Sequence, residues 1–553
     1  MKAIQALARK PAACFLLIAF LPVVLRLALL PHHPEPIASG ADDFGYLLLS
    51  DTLSHLRLAN PPHPMHRFFE ADFVLQQPSY SSIFPLGQGL VLALGQIVTG
   101  HPWAGVLLSE ALLCGLCYWM LRAWISPVPA LLGGLLAVCE FGPLNQWMNT
   151  YWGGAVPAVA GCLVLGALPR IARKKTLGIW AVLGLGLGLE WLTRPFEFTL
   201  LAVSVAVYLL LDRRGASFRT LAIAILPILG CFGLSLFHNH AVTGSWPRLP
   251  YMESRDQYGV PTTFTFQPIP VPNRPLNREQ RLDYEAQSAV HGSGESPRFF
   301  LQRLWERLPL YRFFAYPPLY LAWLAFLAQL RTAQFRWILG TVLLFAIGTN
   351  FYPYFYPHYV AALTCLFVLM SVAGLETIWL RWRLAGVAIL LLCAAQFVFW
   401  YGVHLLGNQQ WLAKLQPYEA GNFINWGDAE GRRAVAGQLA AVPGDQLVFV
   451  HYSPRHMFHA WVHNGAEIDR ARTIWANDLG YAENQALVEY YPSRSAWFLE
   501  PDVWPPRLTR YVRPSLTPAP SPGSAPARPT HTRASPKPEQ GIADLPESGF
   551  IRH

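Results

Sequence analysis

The stretch Gly40-Ala41-Asp42-Asp43-Phe44-Gly45-Tyr46 places two adjacent carboxylates shortly after the first long apolar run of the chain. That run, residues 12–30, is long enough to cross a bilayer as a helix. A short basic leader precedes it, and basic residues favour the cytoplasmic side of a membrane. The two carboxylates are therefore predicted to emerge on the outer side, where later parts of the chain can join them.

The adjacent carboxylates have two interpretations. Asp42 or Asp43 could simply cap an amphipathic helix predicted over residues 44–58, with a part at 51–57 that lies on the membrane surface. Alternatively, the pair belongs to a chemical site. The positions of the other polar clusters in the chain favour the second interpretation.

The composition of the 553-residue chain indicates a polytopic membrane protein, since 53% of the residues are hydrophobic and 14% are charged. A soluble protein of this size carries roughly a quarter charged residues. The net charge of +9 lies largely in short links between apolar segments, so it does not indicate a nucleic-acid partner. All eight cysteines fall inside apolar segments and are expected to be core residues, without a disulfide framework.

The apolar segments predict a mainly α, polytopic transmembrane helical bundle with about eleven crossings, within a range of about ten to thirteen. A short segment, 86–98, is expected to enter the membrane and return, because all basic links then fall in the cytoplasm. The N-terminus is then inside and the C-terminus outside. The predicted crossings are residues 12–30, 103–121, 129–144, 152–169, 177–193, 196–211, 219–238, 312–330, 336–352, 358–379 and 384–404.

The composition changes after the last apolar segment, where turn and strand patterns replace long apolar runs. A helix is predicted over 431–441, with strands over 446–451 and 497–499. The final segment is rich in Pro, Ser and Ala and is predicted to be disordered. The predicted parts are a transmembrane domain 1–408 with outer loops 31–85 and 239–311, an extracytoplasmic α/β domain 409–512, and a tail 513–553.

Three further polar clusters fall on the predicted outer face: Tyr151-Trp152, Arg194 with Glu197, and His358-Tyr359. Trp and Tyr also favour the membrane interface for its own sake. An Arg and a Glu at the end of a span are costly in lipid, however, and tend to line a cavity. The clusters therefore predict a single site together with the two adjacent carboxylates.

An outward-facing membrane enzyme cannot count on cytosolic nucleotide sugars, so its natural activated donor is a polyprenyl-phosphate-linked sugar. Such a site needs a carboxylate to take a proton from the acceptor, a role that Asp42 or Asp43 fits. It also needs groups that stabilise the departing phosphate, for which Arg194 and His358 are candidates. Aromatic residues such as Trp152 could stack against a sugar.

The acidic stretch resembles the acidic motif of the GT-C superfamily of integral-membrane, lipid-phosphate-sugar-dependent glycosyltransferases. It is similar to the Asp-Glu pair of protein O-mannosyltransferases and aminoarabinose transferases of family 39, although Asp43 stands where those relatives usually have Glu. Residues 80–87, Tyr-Ser-Ser-Ile-Phe-Pro-Leu-Gly, resemble their proline motif. Leu192-Thr-Arg194-Pro195 and Pro357-His358-Tyr359 resemble motifs of bacterial relatives, so the likeness covers residues 10–405.

The resemblance implies an inverting sugar transfer at the outer face of a bacterial inner (plasma) membrane, with Asp42 as the base and a lipid, glycan or protein as the acceptor. The proline motif of the relatives often carries Lys, whereas this chain has Ile83 and Leu86, so the charge that binds phosphate would come from Arg57, Arg67 or Arg194. The expected substrate-binding residues are Tyr46, Arg57, His63, Arg67, Tyr151, Trp152, Arg194, Glu197, His358 and Tyr359.

The first outer loop also carries carboxylates and imidazoles that could bind a divalent cation. Their spacing matches no specific metal cage, so no metal site or cofactor is firmly expected. The residues concerned are Asp42, Asp43, Asp51, His55, His63, His66, Glu70 and Asp72.

The main alternative is a polytopic transporter or carrier of lipid-linked or small polar substrates, in which Asp42, Arg194 and Glu197 would be coupling charges. Transporters tend to show internal repeats and charges near mid-membrane. This chain shows no repeat, and its charges cluster at span ends. A third interpretation is a structural subunit in which the carboxylates only cap a helix.

Overall fold

The computed structural model describes residues 2–173, 176–211, 217–415, 418–419, 430–454, 456 and 459–511. The tail predicted for 513–553 lies outside the described residues. The helices are α1 Lys2–Ala8, α2 Pro11–Ala28, α3 Ala41–Ser54, α4 Leu86–Thr99, α5 Trp103–Trp124, α6 Pro127–Phe141, α7 Ala155–Arg173, α8 Leu177–Thr193, α9 Pro195–Leu211, α10 Phe218–Thr243, α11 Pro250–Tyr258, α12 Arg278–His291, α13 Pro297–Arg307, α14 Tyr320–Phe326, α15 Ala333–Thr349, α16 Thr364–Arg381, α17 Arg383–Leu406, α18 Gln409–Leu415, α19 Arg432–Ala440 and α20 Tyr481–Tyr490. The strands are β1 Val74–Leu75, β2 Ser81–Ser82, β3 Gln446–Val450, β4 Thr473–Asn477, β5 Ser495–Glu500 and β6 Arg507–Arg510.

The described helices confirm a polytopic membrane protein that is mainly α. Six are long and apolar enough to span a bilayer: α2, α5, α7, α10, α17, and α16 with the 3₁₀ turn before it. A bent pair over 297–331 adds a seventh candidate, and α4, α6, α8, α9 and α15 are shorter apolar helices. If α4 does not cross, these elements supply the eleven crossings expected from the sequence.

The predicted segment 312–330 is not one continuous helix. Two parts, Pro297–Phe314 and Pro317–Arg331, meet at an angle of 112°. Adjacent prolines at 317 and 318 explain the break, because proline lacks the backbone N–H that a continuing helix needs. Apolar length alone could not reveal this bend.

The transmembrane helices pack closely through small residues. A Cβ added at Gly161 of α7 would lie 1.9 Å from the carbonyl oxygen of Ala362, and one at Gly184 of α8 would lie 2.0 Å from that of Ala224. Backbones therefore approach where only glycine fits, which is a common way to join helices in lipid.

The helix that carries the two carboxylates, α3, is buried rather than lying on a surface. Its residues Leu48, Leu49 and Thr52 are buried, and it ends at Ser54, so the helix predicted over 51–57 forms only as far as Ser54. The reason for the burial is α4, which packs along α3: Gln96 of α4 donates a hydrogen bond to Asp51 at 3.1 Å.

Both ends of α4 lie at the end of the bundle that carries Asp42, called here the Asp42 end. At its beginning, Gln88 donates a hydrogen bond to the carbonyl of Tyr151 at 2.8 Å, just before α7. At its other end, Gln96 contacts α3. α4 therefore does not run from one end of the bundle to the other.

A four-stranded sheet in the order β4-β3-β5-β6 follows the last long helix. β3 is parallel to both β4 and β5, with Leu447 opposite Ile474 and Ala496. The predicted strands over 446–451 and 497–499 correspond to β3 and β5, and α19 to the predicted helix. The sheet belongs to the same compact unit as the bundle, and Asp51 of α3 accepts a hydrogen bond from the backbone of Ala466 at 2.7 Å.

Candidate active site

Asp43 joins the first turn of α3 to the segment before α7. Its side chain is only 5% exposed. One carboxylate oxygen, Oδ1, accepts a hydrogen bond from the backbone N–H of Tyr151 at 2.8 Å, and Oδ2 accepts one from Ser39 at 3.4 Å. Burial raises the pKa of Asp43 to about 6, although these backbone donors oppose the shift. Asp43 therefore holds two loops together.

Asp42 is the other carboxylate of the pair, and its surroundings differ. No other residue in the described part of the chain donates a hydrogen bond to its side chain. Burial, with the negative charge of Asp43 as the second cause, raises the pKa of Asp42 to about 7, and the positive charge of Arg194 opposes the shift. Asp42 is thus the carboxylate that remains available for proton transfer near neutral pH.

Arg194 occupies the junction between α8 and α9, where Pro195 begins the next helix. Its guanidinium lies 4.4 Å from the ring centre of Tyr359, and its Nε lies 3.5 Å from Oε1 of Glu197. Nε and Nη2 of Arg194 are buried, and neither has a hydrogen-bond partner among the described residues. A buried cation whose Nη2 has no hydrogen-bond partner among the described residues can bind an anionic oxygen.

Two carboxylates flank Arg194 along the chain. Glu197 lies three residues later, and its Oε2 accepts a hydrogen bond from the hydroxyl of Tyr352 at 3.4 Å. Glu190, one helical turn earlier, is 1% exposed, and its Oε2 has no partner within the described structure. Sequence analysis missed Glu190 because it lies inside an apolar segment.

Aromatic rings surround these charged groups. Trp152 and His358 meet edge to face at 5.3 Å, and Tyr356 stacks on His358 at 5.4 Å. Tyr359 packs against Tyr352 at 4.8 Å. This aromatic cluster brings together segments that lie about two hundred residues apart in sequence.

The structure therefore unites most of the residues that sequence analysis selected. Tyr46, on α3, stacks on Phe84 at 4.2 Å and interacts electrostatically with Arg194 and Asp42. The selected residues that lie together are Asp42, Asp43, Tyr46, Tyr151, Trp152, Arg194, Glu197, His358 and Tyr359.

Three further residues of the site come from loops that sequence analysis left unassigned. Tyr251 of α11 interacts with Asp42 and Arg194, and Tyr354 interacts with Asp42 and Asp283. Asp283 of α12 is fully buried and accepts hydrogen bonds from Gln287 at 2.9 and 3.0 Å. Burial raises its pKa, and the nearby charge of Asp72 adds to this effect. In the sequence, the only indication of this site residue was the pair of polar side chains at 283 and 287, which lie one helical turn apart.

Three of the predicted substrate-binding residues lie elsewhere. Arg57 pairs with Glu467 at 3.2 Å, His63 with Asp469 at 3.0 Å, and Arg67 with Glu483 at 3.0 Å. All three partners belong to the region of the sheet. These residues connect the first loop to that region, and the structure does not bring them to Asp42.

The first-loop residues considered as a divalent-cation site are dispersed. Asp51 is engaged by Gln96 and Ala466, and Glu70 by Arg274 at 2.6 Å. Among the residues that the structure describes, no three His, Cys, Asp or Glu side chains lie close enough together to hold a metal ion.

The region of the sheet also supports the beginning of α3. The ring of His463 stacks on Phe44, next to the carboxylates, at 3.9 Å and 18°. Arg432 lies 5.1 Å from the same ring and donates a hydrogen bond to the carbonyl of Ser39 at 3.4 Å. Ser39 in turn donates to Asp43. These contacts hold the carboxylate-bearing turn from the side of the sheet.

The fold and the candidate site define a polytopic membrane protein with a carboxylate pair, a buried arginine and aromatic rings at one end of the bundle. No protein-family model and no curated protein match the chain. Solved structures do match it. The crystal structure of ArnT from Cupriavidus metallidurans bound to undecaprenyl phosphate is 10% identical, with a TM-score of 0.49, over 88% of this chain and 92% of that one.

Two further structures give similar values. The apo state of the same ArnT is 12% identical over 88% of this chain and 92% of that one, with a TM-score of 0.48. The apo oligosaccharyltransferase of Archaeoglobus fulgidus is 12% identical over 89% of this chain and 69% of that one, with a TM-score of 0.45. At these identities, the function is inferred from the side chains of this protein.

Proposed function

We propose that the protein is a membrane glycosyltransferase that moves a sugar from a polyprenyl-phosphate donor to an acceptor on the outer face of the membrane. The observation that carries this proposal is the proximity of Asp42 to Arg194, whose opposite charges interact. Asp42 offers a carboxylate that no other described residue engages by hydrogen bonding, and Arg194 offers a buried Nη2 without a hydrogen-bond partner among the described residues. A base and an anion-binding group are the two requirements of transfer from a phosphate donor.

In the proposed reaction, the acceptor attacks the anomeric carbon from the face opposite the phosphate. Ionised Asp42 takes the proton of the acceptor as the new bond forms. The bond between the anomeric carbon and the phosphate oxygen breaks, and the electron pair leaves with the polyprenyl phosphate. Attack from the opposite face inverts the configuration of the sugar.

Arg194 would stabilise the negative charge that develops on the leaving phosphate. Hydrogen bonds from a charged donor are roughly twice as strong as neutral ones, and a buried site strengthens them further. Glu197 fixes the guanidinium through its ion pair, and the ring of Tyr359 supports its face. The donors of Arg194 are therefore held in place before the phosphate arrives.

The location of Arg194 and His358 supports a lipid-linked donor. Arg194 follows directly after α8, and His358 lies in the 3₁₀ turn Pro357–Leu363 that precedes α16, so both groups lie at the ends of apolar helices. A donor with its phosphate at this level would keep its polyprenyl tail in the bilayer. Trp152 and the neighbouring rings offer flat apolar faces on which a sugar can stack.

Mass spectrometry of cell-surface lipids, glycans and proteins, with and without the protein, tests this proposal. We expect one class of molecule to lose a single sugar residue in the cells that lack the protein, and a polyprenyl-phosphate sugar to accumulate. Reintroduction of the wild-type chain should restore the sugar. Unchanged lipids, glycans and proteins in cells that lack the chain would contradict the proposal.

A further inference from the structure

A second pocket lies at the opposite end of the bundle from Asp42. It has a volume of about 530 Å³, which is within the range of small-molecule sites. The beginning of α2 forms one wall, with Phe15 and Leu16, and the ends of α5 and α7 form the others. The polar and aromatic residues of these walls are Tyr118, Trp119, Arg122 and Arg170.

The two arginines of this pocket carry positive charge that no acidic side chain of the described residues neutralises. Within the described structure, neither Arg122 nor Arg170 forms an ion pair with an acidic side chain. Arg170 stacks on Trp119 at 3.8 Å and donates hydrogen bonds to the carbonyls of Gly166 and Trp119 at 2.6 and 2.7 Å. It is therefore fixed in position, and Arg122 lies close enough to repel it.

A buried hydroxyl adds a second, independent observation. Tyr118 is 1% exposed, and its hydroxyl lies beside Arg122 and Cys14 without a hydrogen bond of normal geometry to any described residue. A buried donor without a partner costs free energy unless a ligand satisfies it. Two cations and a hydroxyl together suit the oxygens of a phosphate.

An apolar path leads away from the pocket along α2. Leu16, Phe20 and Val24 follow at intervals of four residues, so they lie on one face of the helix. They are 54%, 61% and 59% exposed. A ligand with an anionic head at the arginines could lay an acyl chain on this face, which a water-soluble phosphate could not use.

We propose that this pocket binds the phosphate of an anionic phospholipid from the leaflet at the end of the bundle opposite Asp42. Basic pockets between transmembrane helices at the cytoplasmic surface are suited to anionic lipid headgroups. The pocket lies far from Asp42 and Arg194, since the lengths of α2, α5 and α7 separate the two ends of the bundle. The inference therefore does not depend on the proposed function.

Native mass spectrometry of the purified full chain tests the proposal, with dioleoyl phosphatidylglycerol and dioleoyl phosphatidylcholine as probes. Arg122→Gln should weaken phosphatidylglycerol binding about fivefold, because one basic residue near a membrane surface contributes about 1 kcal/mol. Tyr118→Phe should weaken it to a smaller degree. Arg381→Gln is the matched control, since this exposed arginine lies at the same end of the bundle but outside the pocket, and it should bind like the wild type.

Each outcome is decisive. Tighter binding of phosphatidylglycerol than of phosphatidylcholine, reduced by Arg122→Gln and unaffected by Arg381→Gln, supports the proposal. Equal binding of the two lipids would overturn it, as would equal binding by the wild type and by both pocket variants. Undecaprenyl phosphate is a further probe, and its binding in preference to phosphatidylglycerol would overturn the assignment to a bilayer phospholipid. If Arg122→Gln does not fold, Tyr118→Phe alone decides, since it removes a single oxygen.

Discussion

The carboxylate pair predicts the pH dependence of transfer. A base acts only when it is ionised, so the rate should rise with pH as Asp42 loses its proton. Burial raises the pKa of Asp42 to about 7. One pH unit below this value about a tenth of the sites are ionised, and one unit above it about nine tenths are. Transfer at limiting donor should therefore fall about tenfold between pH 8 and pH 6.

Asp43→Asn tests the origin of this pKa. The charge of Asp43 is the second cause of the raised pKa of Asp42, so its removal should move the acid limb of the pH profile to lower pH. Asparagine keeps an oxygen that can accept the short hydrogen bond from Tyr151 and loses only the longer one from Ser39, so the loop before α7 should stay in place. The two carboxylates titrate as a pair, and the limb reports their combined behaviour.

The assay is kcat/KM for sugar transfer in proteoliposomes between pH 5 and 9, in buffers of constant ionic strength. Glu483→Gln is the control, because Glu483 pairs with Arg67 away from Asp42, and it should leave the profile unchanged. If the acid limb of the pH profile stays in place in Asp43→Asn, or moves to higher pH, the charge of Asp43 does not raise the pKa of Asp42.

Three further predictions follow from the structure. Arg194→Gln should lower kcat/KM for the lipid-phosphate donor about a hundredfold through the lost charge on the phosphate, whereas Arg67→Gln should leave it unchanged; equal effects would refute the distinction. Asp42→Asn should raise the midpoint of thermal unfolding at pH 8, because asparagine removes the cost of burying an ionised carboxylate. The folded-state pKa of Asp42 is raised to about 7, so the stability that its neutral form contributes is present below pH about 4 and is lost as pH rises through about 7. A lower midpoint for Asp42→Asn would contradict this. In sealed cells, a cysteine at exposed Gln267 should react with an impermeant thiol reagent from outside and one at position 216 should not, and labelling of position 216 would overturn the orientation.

The membrane bundle could be predicted from the sequence because its signal is local. Each apolar segment is long enough to be recognised from its own residues, and the structure has a helix in each one. The break after Phe314 is the exception, because the apolar pattern continues through Pro317 whereas the helix is interrupted there. The burial of α3 was also missed, since it depends on contacts with α4 rather than on the composition of α3.

The candidate site was predicted where charged or aromatic residues interrupt the ends of apolar segments, as at Arg194 and His358. Asp283 and Tyr251 could not be found in this way, because they come from a polar loop in which such residues are common. Arg57 instead pairs with Glu467, which lies 410 residues later in the chain. A partner at that distance leaves no trace in local sequence.

The most direct test of the proposed function is sugar transfer by Asp42→Asn in proteoliposomes, with a defined polyprenyl-phosphate donor and the acceptor identified in cells. Asparagine keeps the size and the helix-capping ability of aspartate but cannot take a proton. We expect a folded, membrane-inserted protein whose transfer rate is at least about a hundredfold below that of the wild type. Near-normal transfer by Asp42→Asn would contradict the assignment of Asp42 as the base.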